Sequence, residues 1–127
     1  LALTGNNIGG RLVINSGRHS YNKYGAVKTT VDGIRFDSRR EAERYIDLKY
    51  LVGLGEITDL KLQVEFEVIP AMEICGRKYR PTIYRADFTY YDNGKYIVED
   101  CKGMRTKEYA IKRKLMKQVH GIEVKES

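Results

Sequence analysis

The dipeptide Asn93-Gly94 separates two runs rich in β-branched and aromatic residues, Ile83 to Asp92 and Lys95 to Asp100. Both central positions of a type I′ turn need φ > 0, which Asn and Gly tolerate, so the spacing predicts a tight antiparallel hairpin. A two-residue loop pairs Asp92 with Lys95, Tyr91 with Tyr96 and, counting back, Asp87 with Asp100. Opposed residues share a face of the sheet, with Cβ atoms about 4.5–5.5 Å apart. Period two puts Lys102 on the face of Asp100 and turns Glu99 and Cys101 away. A three-residue loop would instead pair Asp87 with Glu99.

Two carboxylates about 5 Å apart repel by roughly 3 kcal/mol at an effective dielectric near 20. A divalent cation reverses that sign, because hard cations take several carboxylate oxygens. Lys102 adds a cation on the same face. An Asp…Asp-x-Lys set on paired strands is therefore the arrangement of a Mg²⁺-dependent phosphodiesterase site. Acid-rich strands with an accompanying Lys are also common on solvated sheet faces, and the order of elements along the chain has to separate the two readings.

At 127 residues the chain has room for one core. We expect an N-terminal arm over 1–24 and a single domain over 25–127. No apolar run reaches membrane-spanning length, and the opening Leu-Ala-Leu lacks the charged start of a signal peptide. The missing initial Met suggests a fragment or a processed chain. Cys75 and Cys101 fit a reduced, cytoplasmic protein, and no Cys/His spacing suggests zinc. The net charge of +6 is uneven. Residues 1–40 carry seven basic and two acidic groups, 41–100 eight against twelve, and 101–127 eight against three. Two basic ends around an acidic middle suit a phosphate backbone gripped from both sides of a metal site, although a basic excess also serves solubility alone.

Residues 1–24 are rich in Gly, Asn and Ser, with Leu12 to Ile14 as a short strand candidate. Arg11, Arg18, His19, Tyr21, Lys23 and Tyr24 give the arm a backbone-contacting composition, but a tail without a role reads equally well. Asp32-Gly33 predicts a second tight hairpin. Ser38-Arg-Arg-Glu41 is a capping box, and Ala42 to Val52 runs with helical spacing to Gly53-Leu-Gly55. Glu41 is fully explained as a cap residue. Glu56 to Leu62 reads as a linker with some strand character. Gln63 to Ile69 alternates as a strand, with Val64, Phe66 and Val68 on one face. Met72 to Tyr79 suits a hairpin around Gly76. Thr106 to Val119 is a basic amphipathic helix with Tyr109, Ala110, Ile111, Leu115, Met116 and Val119 on its apolar side, followed by a short strand over Ile122 to Val124.

The predicted order is a helix with Glu41, a strand with Gln63, a hairpin with Asp87, Asp100 and Lys102, a basic helix and a strand. This α/β, mixed-sheet order matches the αβββαβ, restriction-endonuclease-like core of PD-(D/E)XK nucleases, here after an N-terminal arm and hairpin. The run Phe36-Asp-Ser-Arg-Arg-Glu41-Ala-Glu-Arg-Tyr45 resembles their first-helix acid motif. Arg85-Ala-Asp87-Phe and Val98-Glu-Asp100-Cys-Lys102-Gly resemble the second and third. The chain is most similar to small phage and prophage proteins of unknown function that run Asn-Lys-Tyr-Gly…Phe-Asp-Ser…Glu-Ala…Ala-Asp-Phe…Glu-Asp-x-Lys-Gly, a likeness over about residues 22–125. Ala86 stands where the motif has Pro, whose role is to shape the bulge before the acid. Glu43 is an alternative to Glu41.

The resemblance implies metal-dependent DNA endonuclease activity in recombination, repair or processing. Asp87, Asp100 and the Cys101 carbonyl would hold Mg²⁺, with Mn²⁺ as substitute, and Glu41 would complete the site. Lys102 would orient water and stabilise transition-state charge. Gln63 is either a positioning residue or an ordinary exposed strand residue. Lys23, Lys107, Lys112 and Arg113 would contact phosphates. DNA is the expected partner, a homodimer is left open, and no membrane is expected. The alternatives are a non-cleaving DNA-binding or regulatory module on the same fold and a structural phage protein.

Overall fold

The structure, a computed structural model, describes residues 13–14 (backbone only), 28–102 and 104–127. Apart from Val13–Ile14, the expected arm, with Lys23 and His19, lies outside the described residues. In chain order the elements are β1 (Val13–Ile14), β2 (Thr29–Val31), β3 (Ile34–Phe36), α1 (Arg39–Gly53), β4 (Ile57–Ile69), β5 (Met72–Ile74), β6 (Arg77–Tyr79), β7 (Thr82–Asp92), β8 (Lys95–Asp100), α2 (Lys107–His120) and β9 (Lys125–Glu126). The chain divides into two compact units, one ending at Leu60 and including Tyr91–Lys95, the other made of Lys61–Tyr90 and Tyr96–Ser127.

In the first unit, Asp32 and Gly33 both have positive φ (53° and 76°), the geometry a two-residue hairpin loop demands. The loop sets the register Val31↔Ile34, Thr30↔Arg35 and Thr29↔Phe36. β1 adds to β2 antiparallel. Ser38 caps α1, its Oγ accepting the Glu41 amide at 3.1 Å. The helix is capped at Leu54 and followed by left-handed Gly55 (φ 76°), with Glu56 N–H donating to Leu51 O and Gly55 N–H to Val52 O. The Phe36 and Tyr45 rings pack in a tilted arrangement with centroids 5.1 Å apart. The buried Lys49 ammonium and the Tyr45 hydroxyl both donate to Asp32, tying the hairpin tip to α1. Burial, then the charge and hydrogen bond of Asp32, push the Tyr45 hydroxyl up to about 12.

The second unit holds most of a mixed sheet in the order β4-β7-β8-β9. β7 and β8 join through Asn93-Gly94, both at positive φ (50° and 77°), and β8 pairs with β9 in parallel. Val68, Tyr84, Ala86 and Val98 pack with Tyr109 and Met116 of α2 and with Val124. Thr106 caps α2, its Oγ1 accepting the Tyr109 amide at 3.1 Å, and Gly121 (φ 69°) ends it. The chain is thus an α/β protein whose helices and strands follow the expected order, with the β5–β6 hairpin set between β4 and β7.

Three local readings need correction. The stretch taken as a linker is strand from Ile57, and positive φ at Asp59 and Gln63 (56° and 54°) breaks the alternation that would have revealed it. The last strand is Lys125–Glu126 rather than Ile122 to Val124, because Ile122 and Val124 plug the core. Only Tyr109 and Met116 of α2 are buried, while Ile111 and Val119 are 57% and 52% exposed.

A candidate acid–lysine site at the end of the central hairpin

Strand β7 does not alternate strictly. Tyr84 and Tyr90 are an even number of positions apart, yet the Tyr84 hydroxyl reaches Asp100 and the Tyr90 hydroxyl reaches Glu99. Asp100 and Glu99 are consecutive in β8 and face opposite sides, so β7 slips once between the two tyrosines. Ala86 packs with Tyr84 and with Val98, which shares the Asp100 side of β8, so the slip falls after Ala86. A slip of this kind is what a β-bulge produces, a device that re-aims side chains beside functional sites.

The bulge gathers the polar groups of the hairpin's far end. Asp87 Oδ2 accepts the Cys101 amide at 2.9 Å, and Gln63 Nε2 stands 3.4 Å from Oδ1. Gln63 reaches there from a left-handed backbone position inside β4, a conformation costing about 1–3 kcal/mol that persists only where its surroundings enforce it. Asp100 is fully buried. Its Oδ2 accepts the Tyr84 hydroxyl at 2.7 Å, whereas Oδ1 takes no hydrogen bond among the described residues. The Lys102 ammonium lies 3.3 Å from that oxygen, an ionic contact outside hydrogen-bonding geometry, and 4.5 Å above the Tyr109 ring. Burial, the hydrogen bond to Asp100 and the charges of both aspartates push the Tyr84 hydroxyl far above its ordinary range.

Asp87, Asp100, Lys102, Cys101 and Gln63 thus come together in one unit. Among the described residues, no three His, Cys, Asp or Glu side chains are grouped so as to hold a metal by themselves. Mg²⁺ needs fewer, since it keeps several waters and is commonly held by one or two carboxylates with substrate phosphate. The buried Asp100 Oδ1 takes no hydrogen bond among the described residues and faces the Lys102 ammonium at 3.3 Å, so it already sits in an environment that favours a cation. The donor set therefore fits a hard divalent ion.

Glu41 opens α1 in the other unit and is buried, whereas Glu43 forms a solvent-exposed ion pair with Arg39 at 3.1 Å. Beside Lys102 a groove of about 460 Å³ is lined by Tyr84, Arg85, Thr106, Tyr109 and Lys112 among others. Glu65 holds Arg85 at 3.3 Å and Glu108 holds Lys112 at 3.0 Å. Lys107 is exposed. Arg113 is tied to the Val124 carbonyl and to Glu126.

Tyr84 and Tyr109 were not anticipated as site residues. Strict alternation sends Tyr84 to the face away from Asp87, and no residue between the two announces the slip. Tyr109 read only as an apolar helix position, although its ring underlies the lysine. Among the described residues no helix is long and apolar enough to cross a membrane.

A family model described as "Protein of unknown function (DUF1064)" matches residues 21–126. No curated protein and no solved structure matches the chain.

Proposed function

The chain belongs to that family of unknown function, and from the chemistry of its own site we propose that it is a metal-dependent DNA endonuclease of the PD-(D/E)XK type. The observation that carries this reading is the buried Asp100 Oδ1, which takes no hydrogen bond among the described residues and stands against Lys102, in the same unit as a second carboxylate, Asp87, held by the Cys101 amide just past β8. Enclosing a carboxylate that is held by one hydrogen-bond donor and one ammonium, rather than by a full set of hydrogen bonds, costs stability, which supports a functional reason for its burial.

Asp87, Asp100 and the Cys101 carbonyl are the groups that would hold Mg²⁺ or Mn²⁺. A cation bound there supplies charge for the scissile phosphate and an acidified water. The Cys101 amide orients Asp87, and the Tyr84 hydroxyl fixes Asp100 through its other oxygen. Lys102 keeps three ammonium donors for charge developing on the phosphate oxygens. Gln63, whose side-chain amide stands 3.4 Å from Asp87, would orient that carboxylate or a water beside it.

A second reading, a non-cleaving DNA-binding module, is favoured by one feature: Lys102 already neutralises Asp100 without any metal. Incubation with supercoiled, linear and four-way-junction DNA, in Mg²⁺, Mn²⁺ or chelator, separates the two. Metal-dependent nicking that chelator abolishes supports the endonuclease. Salt-sensitive binding without any strand cleavage in either metal contradicts it and supports the binding module.

A further inference from the structure

The β5–β6 hairpin belongs to the same unit as the candidate site but contributes nothing to it. All six of its strand residues are exposed. Its register pairs Met72 with Tyr79, Glu73 with Lys78 and Ile74 with Arg77. Alternation then collects Met72, Ile74, Arg77 and Tyr79 on one face. Met72, Ile74 and Tyr79 are 42%, 51% and 44% exposed. The Arg77 guanidinium lies 5.4 Å from the centre of the Tyr79 ring. The tip, Cys75-Gly76, is a two-residue turn with both φ positive (51° and 80°).

We propose that this hairpin is an arm that lies in a groove of duplex DNA and holds the substrate of the nuclease; the inference rests on the endonuclease reading above. Charge complementarity chooses the partner. Arg77, Lys78 and Arg80 fall within four consecutive positions, against the single acid Glu73. Two copies of such a hairpin would repel if they met face to face, whereas a phosphate backbone attracts all three cations. Shape points the same way. The major groove is about 12 Å wide and admits a two-stranded ribbon. A tip closed by two residues keeps the ribbon narrow and already ordered, so little freedom is lost on binding. Arg77 and Lys78 beside the tip reach phosphates or base edges, while Met72, Ile74 and Tyr79 give apolar contact to sugars and thymine methyls.

The test measures binding in chelator, apart from cutting. A short labelled duplex is titrated with wild type, with Arg77→Ser/Lys78→Ser/Arg80→Ser and with Met72→Ser/Ile74→Ser. Exposure at every position predicts melting temperatures equal to wild type. The charge variant should bind at least about tenfold more weakly near 0.1 M salt, with a salt slope smaller by up to about 0.9 for each phosphate no longer neutralised. The apolar variant should bind more weakly with its slope unchanged. Alkylation of Cys75 at the tip should slow when duplex saturates the protein. Wild-type affinity in both variants overturns the hairpin proposal alone. So does an apolar variant that sediments as a monomer where wild type is a dimer and binds DNA as before, because the hairpin then joins two copies. Wild type that binds through the hairpin but never cuts in Mn²⁺ overturns only the endonuclease reading, and wild type that binds no duplex overturns both.

Discussion

Asp100 is 0% exposed, and its carboxylate accepts the Tyr84 hydroxyl and faces the Lys102 ammonium. In the other unit, by contrast, Asp32 accepts from both Tyr45 and the buried Lys49 and ties a turn to a helix. Hydrogen bonds to charged groups contribute about 1.5–3 kcal/mol, and removing the donor from a buried carboxylate exposes that full amount. Tyr84→Phe keeps the ring, which packs 6.5 Å from Tyr109, and deletes only the donor. We expect it to destabilise the protein by about 2 kcal/mol in urea unfolding. A loss below about 0.5 kcal/mol would mean that Tyr84 does not support Asp100. The Asn93-Gly94 turn was legible because both positions must have positive φ, and the Asp87 carboxylate does reach the end of β8, where it accepts the Cys101 amide. Tyr84 was not, since one bulge reverses which side a residue serves, and no side chain near Ala86 announces it.

The element that holds the end of β8 is the link between α2 and β9. Arg105, Arg113 and Tyr109 all donate to the Glu126 carboxylate, at 2.9 to 3.2 Å. The next amide, Ser127, donates to the Asp100 carbonyl at 3.1 Å. The hydrogen bond from Arg105 is the largest of the causes that hold Glu126 down at about 2, against an ordinary 4.5. A folded-state value below the unfolded one contributes stability that is present above about 4.5 and lost as pH falls toward 2. Wild type should therefore lose its melting-temperature advantage over Glu126→Gln across that window, and parallel curves would contradict the link. Sequence revealed the termini of α2 through Thr106 and Gly121, since caps are local chemistry. It hid β9 because Ile122 and Val124 look like strand residues but fill the core, while the pairing residues Lys125 and Glu126 are polar. The inner half of β4 was hidden for a related reason: its two left-handed residues break the period-two pattern on which strand reading depends.

For the whole molecule, the order of helices and strands was legible because hairpin turns, caps and alternation are each set within a few residues. Which groups would meet at the site depends on non-local contacts such as Gln63 with Asp87, and periodicity says nothing of those. The net charge of +6 suits a phosphate partner but does not distinguish cutting from binding. Asp87→Asn makes that distinction. Asparagine keeps an oxygen for the Cys101 amide and removes one of two mutually repelling charges, a repulsion of at most about 3 kcal/mol that Lys102 and solvent reduce. It also removes an anionic metal ligand. Metal-free melting temperature is measured beside plasmid nicking in Mn²⁺, for wild type and variant. The account predicts a variant that melts no lower than wild type and does not nick. A variant that melts several degrees lower yet nicks at the wild-type rate per folded molecule would contradict it.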